Sequence, residues 1–75
     1  MEKINNDTVY KLGQKIRIER KKRKMSQEKL AEIAELNRNF IGLVERGETN
    51  ITVKNLESIA NAFNTDILNL FIFTI

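Results

Sequence analysis

The sequence predicts an all-α fold, a single compact domain of five helices. Three observations predict it. Apolar residues recur at three- and four-residue spacing in separate short windows, as one face of a helix requires. Proline is absent and only three glycines occur in 75 residues, so few residues oppose helix formation. Polar residues suited to helix N-caps stand before the periodic windows, at Asp7 or Thr8, Ser26, Asn37, Thr52 and Asp66.

Residues 1–7 carry no periodic pattern and are expected to form a short arm. Val9, Leu12 and Ile16 then mark the first helix, with Arg20 on the same stripe. A charge on an apolar stripe needs a partner or an exit to solvent. The run Lys21–Lys24 should end this helix. Ser26 is the next cap, and Leu30, Ala31 and Ala34 give the second helix a narrow apolar face that another helix can approach closely. The following corner falls on Glu35 or Leu36, where a positive φ costs on the order of 1 kcal/mol for a residue other than glycine.

Asn37 caps the third helix, in which Ile41 and Val44, with Leu43 alongside, point inward; Gly47 is a natural stop. Thr52 caps the fourth helix, where Val53, Leu56, Ile59, Ala60 and Phe63 form a stripe, and Asn64 ends it. Asp66 is placed to cap a last short helix holding Ile67, Leu68, Leu70 and Phe71. The closing FIFTI is unusually apolar for a chain end.

Composition narrows the function classes. With no cysteine there is neither a disulfide framework nor a thiolate metal site. With no histidine, the common general base and metal ligand are also missing. No nucleophile–base pair stands out, so an enzyme is not expected, and neither a cofactor nor a small-molecule ligand is evident. No apolar run approaches the roughly twenty residues of a membrane span. The polar N-terminus lacks a signal-peptide pattern, so a cytoplasmic protein is expected.

The net charge is only +3, but its distribution is uneven. Lys11, Lys15, Arg17, Arg20, Lys21, Lys22, Arg23 and Lys24 hold eight of the thirteen basic residues. Such a block attracts polyanions, nucleic acid first among them. It also suits a solvated helix C-terminus, where cations are favoured.

The stretch QEKLAEIAELNRNFIGLVERG, residues 27–47, reads as two short helices joined by a tight corner. Its Q-E-x-L-A-x-x-A, L-N-R-x-F-I and V-E-R-G segments resemble the helix-turn-helix of the lambda-repressor-like (Xre/Cro-type) DNA-binding family. I-R-x-x-R at Ile16–Arg20 and L-x-x-I-A-x-A-F at Leu56–Phe63 extend the resemblance over residues 9–71. It implies a compact five-helix domain that docks on double-stranded DNA, with the third helix reading bases in the major groove. The corner departs from the family in lacking the common glycine.

On that reading, Arg38, Asn39 and Phe40 are the candidate base contacts. Arginine can donate two bonds to guanine, asparagine can pair with adenine, and an aromatic ring suits a thymine methyl. Core packing is the alternative for Phe40, and a phosphate contact the alternative for Arg38. Ser26, Gln27, Asn37, Arg46, Asn50, Thr52 and Asn55 are the candidate phosphate contacts, supplying hydroxyl, amide and guanidinium donors. Ser26 also serves as a plain cap. The resemblance implies that Gln27 braces the reading helix and that Arg20 pairs with Glu45. Glu48 is a second departure, because this loop is commonly more basic; it weakens the local attraction or pairs with a neighbouring cation.

A monomer of this size reads too few base pairs to find one site in a genome. A homodimer on a palindromic operator answers that need. Ile67, Leu68, Leu70, Phe71 and Phe73, within the segment 66–75, are the candidate dimer surface; folding back to complete a monomer core is the alternative. Among family members, R-N-F-I-x-x-V-E-R-G and N-I-T-V-K-N-L look most like controller proteins of restriction–modification systems, with compact phage repressors and antitoxins as alternatives. Without a separate ligand-responsive domain, regulation is expected to follow protein concentration. The competing function is a protein-interaction module, such as an antitoxin that masks a partner.

Overall fold

The computed structural model describes residues 7–73, and the side chains from residue 8. Four α-helices follow one another: α1 (Asp7–Lys22), α2 (Gln27–Ala34), α3 (Arg38–Glu45) and α4 (Val53–Ala62). The fifth element, Ile67–Phe71, is a 3-10 helix, which corrects the expectation of five α-helices. Asp66 occupies its N-cap position but makes no side-chain cap bond, so this five-residue turn starts without that support. Asp7 already belongs to α1, and the rest of the expected arm, residues 1–6, lies outside the described residues, as do residues 74–75.

Helices α2, α3 and α4 start at the caps read from the sequence. Ser26 Oγ accepts from the Lys29 amide at 2.9 Å, Asn37 Oδ1 from the Asn39 amide at 2.7 Å, and Thr52 Oγ1 from the Asn55 amide at 3.0 Å. Each bond satisfies a backbone donor that the first helical turn leaves open.

The four helices end alike. Lys24, Glu35, Gly47 and Asn64 all adopt a left-handed φ, between 57° and 70°. The next amide reaches back to the last turn in each case: Met25 to Arg20 O, Leu36 to Ala31 O, Glu48 to Leu43 O and Thr65 to Ala60 O. This closure satisfies orphan carbonyls and reverses the chain within two residues. Only one of the four is glycine. Asn64 tolerates this backbone, and Lys24 and Glu35 accept a strain on the order of 1 kcal/mol each.

The core gathers Leu12 and Ile16 of α1, Leu30, Ala31 and Ala34 of α2, Ile41 and Val44 of α3, Leu56, Ile59 and Ala60 of α4, then Phe63 and Leu70. Helix α3 packs against α1 and α2, α2 also meets α4, and the 3-10 turn closes against α1 and α4. Leu43 and Val53, expected to face inward, are exposed instead. Leu43 lies on the side of α3 opposite its buried residues, and Val53 is the first residue of α4.

Leu70 is fully buried in this core, so it is removed from the candidate dimer surface. A side chain with no accessible area has none to offer a partner. Ile67 and Phe73 are partly buried against the same core, whereas Leu68, Phe71 and Ile72 stay exposed.

Close approach of α1 to α3 depends on Gly13. A Cβ at this position would lie 2.1 Å from the Val44 carbonyl oxygen and 3.0 Å from that of Glu45. Gln14 Nε2 donates to the same Glu45 carbonyl at 3.1 Å.

Helix α1 also carries a buried carboxylate, Glu19. Arg23 approaches it at 2.7 Å, Lys15 at 3.0 Å and Lys22 at 3.5 Å. Arg23 additionally donates to the Phe63 carbonyl at 3.2 Å and lies 4.8 Å above the Phe63 ring centre, tying the end of α1 to the end of α4. Burial opposes ionisation of Glu19. The bonds from Arg23 and Lys15, with the charges of Lys15 and Lys22, outweigh it and hold the carboxyl at about 2, below an ordinary 4.5.

Candidate nucleic-acid interface

The helical pair α2–α3 is set by one interior hydrogen-bond network. Arg20 Nε donates to Glu45 Oε2 at 2.7 Å, and Arg20 Nη2 to Glu45 Oε1 at 3.1 Å. This two-bond pairing matches a planar guanidinium to a carboxylate. Arg20 Nη1 also donates to the Met25 carbonyl at 2.7 Å, which pins the corner just before Ser26. Gln27 Nε2 donates to Glu45 Oε1 at 3.0 Å. The carboxylate of Glu45 is thus shared by α1 and the first residue of α2. Among the described residues, no buried side-chain nitrogen or oxygen lacks a partner.

That network fixes one end of α3 and leaves the other outward. Arg38 and Asn39, in the first turn, are exposed. Phe40 is only partly exposed and packs against the core, through the contact weighed as its alternative role. The apolar ring is partly committed to holding α3 in place, so Arg38 and Asn39 are the freer pair.

The candidate phosphate-binding residues fall into three groups. Ser26, Asn37 and Thr52 are the N-caps of α2, α3 and α4. Their oxygens accept the cap bonds, yet the hydroxyls and the Asn37 amide retain donors for an anion. Gln27 and Arg46 both approach Gly42. A Cβ at Gly42 would be 3.2 Å from Arg46 Nη1 and 3.8 Å from Gln27 Oε1. Asn50 and Asn55 form a third group, on either side of Thr52, in the loop and the first turn of α4.

The basic block of α1 proves to be divided. Arg20 belongs to the Glu45 network, while Lys15, Lys22 and Arg23 surround Glu19. Arg17, Lys21 and Lys24 remain exposed cations available to long-range attraction. Sequence reading missed Gly13, Glu19 and Gly42 as positions that shape this region. Gly13 and Gly42 each left a local signal, as a glycine inside a helix where alanine would be favoured by about 1 kcal/mol, whereas Glu19 left none.

The family profile HTH_3, described as helix-turn-helix, matches residues 16–70. The chain belongs to the HTH_3 helix-turn-helix family. It is a DNA-binding transcriptional regulator of the Xre type. This HTH_3 chain is 44% identical over 59 residues to the control protein C.SmaI of Serratia marcescens, covering 79% of this chain and 70% of that one. It is 39% identical over 72 residues to the control protein C.BamHI of Bacillus amyloliquefaciens, covering 95% and 89%. The crystal structure of the restriction–modification controller protein C.AhdI from Aeromonas hydrophila is similar with a TM-score of 0.84 and 37% identity, covering 89% of this chain and all of that one. Within the described residues, no helix is long and apolar enough to cross a membrane.

Proposed function

We propose that this regulator binds a palindromic double-stranded operator as a homodimer and thereby controls the expression of restriction–modification genes. The observation that carries this reading is the exposed Arg38–Asn39 pair on a helix whose far end is locked by Glu45. Rigid presentation of two base-reading side chains is what major-groove recognition needs. The likeness to C.SmaI, C.BamHI and C.AhdI supports the gene class.

Base contacts come from Arg38 and Asn39, with Phe40 at the margin. Ser26, Gln27, Asn37, Arg46, Asn50, Thr52 and Asn55 contact phosphates and set the register. Leu68, Phe71 and Ile72 form the dimer surface, with the Phe73 ring 6.4 Å from that of Phe71. Occupancy alone acts: a dimer over a promoter excludes polymerase, and one beside it recruits polymerase.

The same apolar surface favours a second reading, in which it covers another protein as an antitoxin covers a toxin. Selection from a random duplex pool, followed by sedimentation of the complex, separates the two. An inverted repeat carrying two copies of the chain, released by modest salt, is expected. A monomeric chain that selects no repeat and co-purifies with a different small protein contradicts the operator reading.

A further inference from the structure

The loop after α3 holds a charge arrangement that neither cap geometry nor core packing requires. Arg46 closes α3, and its guanidinium runs back over Gly42 beside Gln27. Its Nε donates to Glu48 Oε1 at 3.1 Å. Both side chains are more than half exposed, at 54% and 55%. The Glu48 backbone is itself fixed, because its amide donates to the Leu43 carbonyl at 2.9 Å in the closure of α3. A carboxylate is therefore anchored against the one guanidinium that shares the Gly42 surface with Gln27.

We propose that Glu48 is a built-in brake on DNA affinity: it occupies Arg46 in the free protein and competes with a phosphate for it. The inference rests on the DNA-binding reading above and adds how affinity is limited. A phosphate reaching Arg46 must displace the carboxylate from Nε or bind at the remaining donors with a negative charge close by. Both routes weaken attraction to any duplex, whatever its sequence. The exposed position of the pair keeps the effect moderate and sensitive to salt. Base reading by Arg38 and Asn39 is untouched, so a larger share of total affinity comes from sequence.

The test uses the full chain and a mixed-sequence DNA duplex at low ionic strength. E48Q should bind about two- to fivefold more tightly than the parent, the range expected for releasing an exposed ion pair. Its affinity should also fall more steeply with salt, by about 0.9 in the logarithmic slope, as one more phosphate contact requires. R46Q should bind more weakly than the parent, and adding E48Q to R46Q should recover less than half of the single-variant gain. Thermal unfolding of each variant confirms that the compared chains are folded. Equal gains with and without Arg46 would overturn the inference, since they would leave only general charge repulsion. A parent that binds the duplex while E48Q gains nothing overturns it alone. A parent that ignores the duplex overturns the DNA-binding reading and this inference together.

Discussion

The two ends of α3, seven residues apart, differ in almost every physical respect. At its C-terminal end Glu45 is 1% exposed and receives bonds from Arg20 and Gln27, while the Glu45 carbonyl accepts from Gln14. At its N-terminal end Arg38 and Asn39 stand in solvent. On the proposed reading, the contrast teaches that holding the helix and reading with it are assigned to separate residues. One end can be exchanged for a new base preference without loosening the other. Substitutions should therefore sort into those that unfold the domain and those that only change what it binds.

The largest expected effect is at the buried end. Glu45→Ala strands the Arg20 guanidinium and should cost about 3–5 kcal/mol of folding stability, read by urea or thermal unfolding. Unchanged unfolding would dissolve the contrast between the ends. Next comes Gly13→Ala, whose methyl group meets the Val44 carbonyl oxygen at 2.1 Å. It should lower stability by about 1–3 kcal/mol, or more if α1 and α3 must separate. Wild-type stability would show that this contact does not set the spacing of the two helices.

A third prediction concerns the Glu19 cluster. Its carboxyl is held at about 2 in the folded chain against an ordinary 4.5. Stabilisation from the ionised form is thus complete above pH 4.5 and is lost as pH falls from 4.5 towards 2. Acid titration of stability should be steeper in this window for the parent than for Glu19→Gln. Equal slopes would remove Glu19 as a source of acid sensitivity.

Local chemistry made much of the fold legible. Ser26, Asn37 and Thr52 announce helix starts because short polar side chains satisfy open amides. Gly47 and Asn64 mark ends because they tolerate left-handed backbone, and the absence of glycine near Glu35 forced a strained corner there. The fifth element was placed correctly, but its 3-10 form and the burial of Leu70 depend on how it meets α1 and α4. Glu19 was silent for the same reason, and Gly13, although a glycine inside a helix, did not reveal which neighbour it admits, since an interior carboxylate and a close helix contact exist only in three dimensions. For the candidate site, the sequence indicated the residue types and left two alternatives open, a cation partner for Glu48 and core packing for Phe40; the assembled chain shows Arg46 bonded to Glu48 and Phe40 packed against the core.

The smallest expected effect on stability, and the most direct test of the separation, is at Arg38. In one titration series, Arg38→Ala and the parent are compared on the selected duplex and on mixed-sequence DNA, with thermal unfolding measured beside them. Unchanged unfolding and a loss of about 1–3 kcal/mol confined to the selected duplex are predicted. An equal loss on both duplexes, or a lower melting temperature, would contradict the account.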